Sequence, residues 1–317
     1  MFDHLLVPLD GSPLAECVLP HAITIAQAFG ARISLLRVLE ECRTGESLAV
    51  DPLDWQMWRA EGDAYLGDLA AQLQDLGIET RQVLLDGPAA ERILEYAQEN
   101  DVDLIVLSSH GWSGLTPWNV GSVVQKIVLR SYASTFIIRA YQLADEELSR
   151  LQYKRIMVPL DGSRRAEVVL PAVSTLARHT GAQIALTHVV RPPELPSRSP
   201  LSSEDVELVE RMVERNRLQA EQYLDDVRAR LDFDAETHLL ISESPTIRLH
   251  EFVETQDVDL VILGAHGHSG RTQTLYGSVT LNFIANGTSP LLVVQDLSPG
   301  EVGPTLAELS SMERKGH

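Results

Sequence analysis

The chain has few cysteines, few aromatic side chains and little positive charge. Its 317 residues include only two cysteines, Cys17 and Cys42, and aromatic residues make up 5%. Two cysteines are too few for a disulfide framework or a cysteine-rich zinc site, and they favour a reducing compartment. Lys and Arg number 26 against 45 Asp and Glu, a formal net charge of −19. Such acidity argues against a nucleic-acid-binding face, which must be basic, and against binding to an anionic membrane surface.

Several motifs are also missing. No apolar run approaches the roughly 18 residues of a membrane span, and the chain opens into a strand pattern at His4-Leu5-Leu6-Val7, so we expect no signal peptide. No segment matches G-x4-G-K-[S/T], so the lysine of P-loop hydrolases is lacking. His266-Gly267-His268 has no third ligand at recognisable spacing, so we predict no metal site. We assign no catalytic residue.

The chain is an internal duplication. Val7-Pro8-Leu9-Asp10-Gly11-Ser12 returns as Val158-Pro159-Leu160-Asp161-Gly162-Ser163, and Asp101-Val102-Asp103-Leu104 returns as Asp257-Val258-Asp259-Leu260. Self-similarity over such a distance indicates two copies of one domain, each of ordinary size. We predict a first domain at 1–140, a linker at 141–153, a second domain at 154–296 and a C-terminal tail at 297–317.

Within each copy, five apolar strand patterns alternate with helical patterns. This alternation predicts an α/β fold, a doubly wound, mostly parallel sheet with helices on both faces. The segments Pro13–Phe29 and Arg164–His179 each read as one continuous helix. We expect the copies to pair through their last strands, Thr135–Arg139 and Leu291–Val294, so that the chain resembles a dimer of domains.

Each copy carries a glycine loop between its fourth strand and the next helix. In the second copy it reads Gly264-x2-Gly267-x9-Gly277-Ser278, and in the first Ser108-x2-Gly111-x9-Gly121-Ser122. Glycines let backbone approach an anion, and a helix N-terminus presents N–H groups with partial positive charge, so the pattern favours phosphate binding. Asp10 and Asp161 each end the first strand of their copy. Each should face the same crevice as the glycine loop of its own copy, because ligands sit beyond the carboxyl ends of parallel strands.

These residues resemble the universal stress protein family in its tandem two-domain form, over about residues 2–140 and 153–296. The resemblance is carried by the Val-Pro-Leu-Asp-Gly-Ser segments and by G-x2-G-x9-G-[S/T], which 264–278 matches fully and 108–122 matches except at Ser108. The family's nucleotide-binding members use this pattern to hold ATP. The resemblance implies a flavodoxin-like (Rossmann-like) fold, ATP binding with or without Mg²⁺, a cytoplasmic location, dimer-like pairing and a stress-response role.

The resemblance also assigns roles at the site. Asp161, with Pro159, would meet the adenosine end of ATP, and backbone near Val189 would contact adenine. Gly264 and Gly267 would let the loop fold over the phosphates. The amides of Gly277, Ser278 and Val279 would donate to the phosphates. The matching positions of the first copy are Pro8, Asp10, Val38, Ser108, Gly111, Gly121, Ser122 and Val123.

The two loops differ in charge. Arg271 lies between Gly267 and Gly277 and could pair with a phosphate through a charge-assisted bond, whereas the first loop has no Lys or Arg and carries Trp112 and Trp118 instead. A β-carbon at Ser108 would also restrict the approach of backbone. We therefore predict that the second site binds ATP more tightly.

Three functions stay open at this stage. The chain could be an ATP-binding regulatory module read by a protein partner, and two chains could associate as a homodimer. It could be a slow Mg²⁺-dependent ATPase or phosphotransferase, for which His110, His266 and His268 are weak candidates. It could also be a scaffold that binds no nucleotide, in which Asp10 and Asp161 only begin Asp-Gly-Ser turns.

Overall fold

The computed structural model describes residues 1–40, 52–111, 120–140, 151–193, 202–268 and 274–296. The chain forms two compact units. Within the described part, the first unit runs from Met1 to Gln152 and also includes Ile284 to Asp296, and the second runs from Tyr153 to Phe283. Most of the predicted linker and the whole predicted tail lie outside the described residues.

The first unit contains the elements of the first sequence copy. Its strands are β1 (His4–Pro8), β2 (Arg32–Leu39), β3 (Thr80–Asp86), β4 (Leu104–Ser108) and β5 (Ser134–Ile138). Its helices are α1 (Pro13–Glu16), α2 (Leu19–Phe29), α3 (Pro52–Asp75), α4 (Ala89–Glu99) and α5 (Ser122–Val128).

The second copy repeats this order. Its strands are β6 (Arg155–Pro159), β7 (Gln183–Val190), β8 (Ala235–Ile241), β9 (Leu260–Gly264) and β10 (Leu291–Val294). Its helices are α6 (Leu170–Thr180), α7 (Ser203–Ala229), α8 (Pro245–Thr255) and α9 (Ser278–Asn286). No helix in the described ranges combines the length and the apolar character needed to cross a bilayer.

The order of the strands shows where each sheet forms its crevice. In the first unit the order is β3-β2-β1-β4-β5 and every one of these pairs is parallel. β10 joins this unit, pairing antiparallel with β5 so that Leu292 lies opposite Phe136. In the second unit β8-β7-β6-β9 are likewise parallel. The order reverses between β1 and β4, and between β6 and β9, which is where doubly wound sheets bind ligands. The doubly wound prediction is confirmed.

Two predicted helices are interrupted. Pro13–Phe29 forms α1 and then α2 rather than one helix, and Arg164–His179 forms a 3-10 turn at Ala166–Val169 followed by α6. The cause is proline, since Pro20 and Pro171 lack the N–H that a continuous helix would need and instead occupy the first turn of α2 and α6.

The recurring Asp-Val-Asp-Leu segment serves the fold. The Asp103 carboxylate accepts the backbone N–H groups of Asp3 at 2.8 Å and His4 at 3.0 Å, and Asp259 accepts those of Lys154 and Arg155. These bonds fix the first strand of each unit beside its fourth. The first aspartate of each segment, Asp101 or Asp257, takes a positive φ of 50° or 49°, a conformation that aspartate tolerates better than most residues.

His21 on α2 makes the first unit sensitive to acid. Its ring is buried against Phe136, and burial lowers its pKa from 6.5 to about 3. The unfolded chain therefore binds a proton below pH 6.5 that the folded unit refuses until about pH 3, so stability falls as pH drops through this window by up to about 1.4 kcal/mol per pH unit.

We expect His21→Gln to reduce this pH dependence. Between pH 6.5 and 5, where few carboxylates titrate, wild type should lose roughly 1.5 kcal/mol more of its unfolding free energy than the variant. Urea unfolding at the two pH values measures the difference. Parallel losses in both proteins would contradict the assignment.

Candidate functional site

In each unit, described residues line a cleft at the carboxyl ends of the two strands between which the strand order reverses. In the second unit the cleft is lined by the predicted residues that the structure describes, Pro159, Asp161, Val189, Gly264, Gly267, Gly277, Ser278 and Val279. In the first unit the matching set lines a cleft in the same way, Pro8, Asp10, Val38, Ser108, Gly111, Gly121, Ser122 and Val123. Residues far apart in sequence therefore meet, as strand-end topology predicts. Arg271, Trp112 and Trp118 lie outside the described residues.

The strand-end aspartate is held on both sides. Asp161 Oδ1 accepts from the Ser163 N–H at 3.0 Å and the Ser163 hydroxyl at 2.6 Å, and its Oδ2 accepts from the His268 N–H at 2.5 Å. Asp10 Oδ1 accepts from the Ser12 N–H at 2.9 Å. The turn that sequence reasoning treated as an alternative thus forms in both units. A carboxylate has about four acceptor positions, so Asp161 keeps capacity for a ligand.

Gly267 and Gly111 are glycines because of these carboxylates. A β-carbon at either residue would overlap Oδ2 of Asp161 or Asp10. Aspartate and glycine therefore form one structural pair in each unit, which links the end of the first strand to the loop after the fourth. This packing reason stands beside the predicted one, closeness to phosphate, which stays a prediction.

Gly264 also has a packing role. Its β-carbon would lie 3.0 Å from the Arg165 carbonyl oxygen and 3.2 Å from that of His266. In the first unit, Ser108 sits at this point and its hydroxyl oxygen is 2.7 Å from the Leu14 carbonyl and 2.6 Å from that of His110. The Ser108 side chain thus faces the same pair of carbonyl positions, and its single O–H proton donates to one of them at a time; whether its β-carbon restricts the backbone stays a prediction. The Cys17 thiol donates to the Ser108 hydroxyl at 3.7 Å. Burial raises the pKa of this thiol.

One predicted phosphate donor is already used. The Gly277 N–H donates to the Ala265 carbonyl at 2.7 Å, and the Gly121 N–H donates to Ser109 at 2.7 Å. The role assigned to the Gly277 amide is therefore wrong. Donors remain in the first turn of α9, where Ser278 and Val279 stand, since helix geometry gives these amides no acceptor within the helix.

Two of the loop histidines are held by contacts within the protein. His266 is buried and its Nε2 lies 2.5 Å from the Thr274 carbonyl oxygen, while His110 is buried with its Nδ1 3.1 Å from Ser109 Oγ. No group of three or more His, Cys, Asp or Glu side chains within the described ranges is arranged to hold a metal ion.

The clefts differ in size and lining. The cavity volume is about 590 Å³ in the second unit and about 180 Å³ in the first. Small-molecule sites occupy roughly 300–1,000 Å³, so only the larger cleft falls in that range.

Sequence reasoning missed several polar residues of the second cleft, namely Thr187, Arg191, Glu243, Ser244, Thr246 and Asn282. Arg191 follows β7 where Glu40 follows β2, and the Glu40 carboxylate instead accepts from the Ala89 N–H at 2.6 Å. Thr187 replaces Leu36 of the first cleft, and its buried hydroxyl has no hydrogen-bond partner in the described part of the chain. The signal that could have found all but Asn282, which lies on α9, is their position at or just after the carboxyl ends of the second and third strands.

The duplicated doubly wound fold, with an aspartate paired to a glycine loop in each copy, defines the class of protein. The family model described as "Universal stress protein family" matches residues 1–139 and again 152–295. The chain therefore belongs to the universal stress protein family and contains two of its domains in tandem.

Relatives of one and of two domains support this. The universal stress protein YxiE of Bacillus subtilis is 30% identical over 149 residues, covering 44% of this chain and 100% of that protein. The universal stress protein Rv2005c of Mycobacterium tuberculosis is 22% identical over 256 residues, covering 77% of this chain and 80% of that protein.

Solved structures show the same fold. A universal stress protein from Archaeoglobus fulgidus has a TM-score of 0.61 at 18% identity, covering 92% of this chain and 98% of that one. The functionally unknown protein PA1789 from Pseudomonas aeruginosa has a TM-score of 0.65 at 14% identity, covering 99% and 98%. At such identities the likeness concerns the fold alone.

Proposed function

We propose that the chain is an ATP-binding regulatory protein whose second unit holds the tighter site. The observation that carries the proposal is the convergence of Asp161, the glycine loop and the first turn of α9 on one cleft of about 590 Å³. A helix N-terminus attracts the phosphates, and the strand-end carboxylate offers an acceptor for the ribose or base. The choice of adenine rests on the family resemblance.

The ranking of the two sites rests on the lining of the clefts. The second cleft is larger and contains a guanidinium, Arg191, and a hydroxyl, Thr187, where the first cleft has the aliphatic Leu36. Mg²⁺ would arrive with the nucleotide and be held largely by its phosphates. Arg271 would add a further cation to the second site.

In this proposal ATP acts as a signal rather than as a substrate. Binding would stabilise one arrangement of the glycine loop, and a protein partner would recognise that arrangement, to the extent that ATP binds it better than the alternative. We propose that this occurs in the cytoplasm as part of a stress response, with chains associated as homodimers.

The test is to identify the nucleotide that the purified protein carries. Protein prepared without added nucleotide is denatured, and the supernatant is analysed for adenine nucleotides by chromatography. Released ATP, together with a rise in melting temperature on adding ATP, supports the proposal. ADP alone, or turnover with Mg²⁺, would identify an ATPase. No nucleotide and no thermal shift at millimolar ATP would refute nucleotide binding and leave a scaffold.

A further inference from the structure

A second kind of cavity opens at the opposite edge of the first unit's sheet. Its volume is about 330 Å³, and it lies at the amino ends of β1, β2 and β3, whereas the nucleotide cleft lies at the carboxyl ends. Two guanidinium groups, Arg32 and Arg81, line it together with the buried His4 and Ser34. None of these residues belongs to the site described above.

Arg32 and Arg81, both exposed, have no carboxylate partner within the described part of the chain. Among the described residues, neither Arg32 nor Arg81 forms an ion pair, and the one hydrogen-bond contact of Arg32 is to His4 Nδ1, 3.2 Å from Nη2. That contact is compromised, because Nδ1 also lies 3.0 Å from the Asn100 carbonyl oxygen. A nitrogen cannot donate to a carbonyl and accept from a guanidinium at once, so either Arg32 or Asn100 lacks its partner here.

The electrostatics of His4 reflect this surplus of cations. Burial lowers its pKa, and Arg32 and Arg81 lower it further, while the Asn100 carbonyl and Asp103 act in the opposite direction. His4 Nε2 lies 2.8 Å from Ser34 Oγ, which lies 3.0 Å from the Tyr96 hydroxyl. The imidazole is therefore fixed in position and senses the charge in the cavity.

The second unit has an ion pair at the corresponding place. Arg155 is the counterpart of His4, and its Nη2 lies 2.5 Å from Glu236 Oε2. Glu236 occupies the sheet position of Arg81, because Ala185 faces Glu236 in the register in which Ser34 faces Arg81. The first unit thus has a cation where the second has an anion, and this occurs in a chain whose net charge is −19.

We propose that this cavity binds a phosphate group, as inorganic phosphate or as a small phosphate monoester, between Arg32 and Arg81. Guanidinium groups bind phosphate oxygens through paired, charge-assisted hydrogen bonds, which would give both arginines the anion that the described residues do not supply. Glu79 also lines the cavity and leaves one net positive charge, so we expect weak binding, of roughly millimolar affinity. The volume leaves room for an organic group beyond the phosphate.

The test follows the imidazole signals by NMR, with the signal of His4 identified by its loss in His4→Gln. Inorganic phosphate is titrated in at constant ionic strength with chloride, and glycerol phosphate is titrated separately to distinguish the free ion from an ester. We expect saturable movement of the His4 signal and a rise in the pKa of His4, since a bound anion offsets the two guanidinium charges.

Arg81→Glu, which introduces the residue type of the second unit, should raise the phosphate dissociation constant at least about tenfold. Arg178→Glu makes the same change of charge on the second unit and should leave it unchanged. If Arg81→Glu does not give a folded protein by circular dichroism, Arg81→Gln replaces it. Absence of a saturable shift, or an equal shift in the Arg81 variant, would overturn the proposal whatever the nucleotide clefts bind.

Discussion

Gly277→Glu is expected to remove tight ATP binding while the protein stays folded. A β-carbon at Gly277 would meet only the Ala265 oxygen at 3.6 Å and backbone atoms farther away, so the position tolerates a side chain. The glutamate carboxylate would extend into the cleft near the phosphates. Two like charges about 6 Å apart at an effective dielectric constant near 20 repel by roughly 3 kcal/mol, which is about a hundredfold in affinity.

Two matched variants make this measurement decisive. Gly277→Ala adds only the β-carbon and should bind ATP almost as wild type in titration calorimetry. Gly121→Glu places the same charge at the corresponding point of the first cleft, where a β-carbon would meet the Ser109 oxygen at 3.5 Å. It should remove only the weaker phase of binding. If Gly277→Glu kept the tight phase and Gly121→Glu lost it, the ranking of the two sites would be reversed.

The crevice could be predicted from sequence because it depends on topology. Asp10 and Asp161 end a first strand, the glycine loops follow a fourth, and parallel strands bring their carboxyl ends to one edge. That argument needs only strand order, which alternating apolar patterns indicate. It places Asp161 and Gly277 in one cleft without any knowledge of side-chain contacts, and both line that cleft, as do Pro159 and Val189, which the family resemblance had assigned.

The reasons for individual residues could not be predicted, because they depend on contacts between segments distant in sequence. Gly264 faces the Arg165 carbonyl, and Ser108 reaches the carbonyl of Leu14. A sequence pattern shows that glycine recurs but not which atom lies against it. The phosphate role of these glycines stays a prediction, and the packing role that the structure adds to it has no signal in the sequence.

The difference in size between the two clefts could not be predicted from the sequence either. The side chains that distinguish the two linings stand at strand ends that no motif marks, such as Thr187 in the position of Leu36 and Arg191 in the position of Glu40. The break in the first predicted helix of each copy could have been predicted, because a proline recurs there, as Pro20 and Pro171. Helical periodicity continues through both prolines and concealed the break. Local patterns thus predicted the fold better than they predicted the shape of the cavity.

Gly267→Ala is expected to destabilise the second unit strongly. Its β-carbon would overlap Asp161 Oδ2, and that carboxylate cannot move away without losing bonds from the Ser163 N–H, the Ser163 hydroxyl and the His268 N–H. Hydrogen bonds to a charged group are each worth about 1.5–3 kcal/mol. We expect a loss of roughly 2–4 kcal/mol in the free energy of unfolding measured with urea, and a lower ATP affinity because both partners line the cleft.

A double-mutant cycle separates this overlap from any intrinsic need for glycine. Asp161→Ala removes the carboxylate, so in that background Gly267→Ala should cost under about 1 kcal/mol, and the coupling between the two sites should be a large part of the single-mutant effect. Gly111→Ala and Asp10→Ala form the same pair in the first unit and should couple with the same sign. An additive cycle would show that Gly267 is required for its own backbone conformation, and the aspartate would then no longer explain why a glycine stands in each loop.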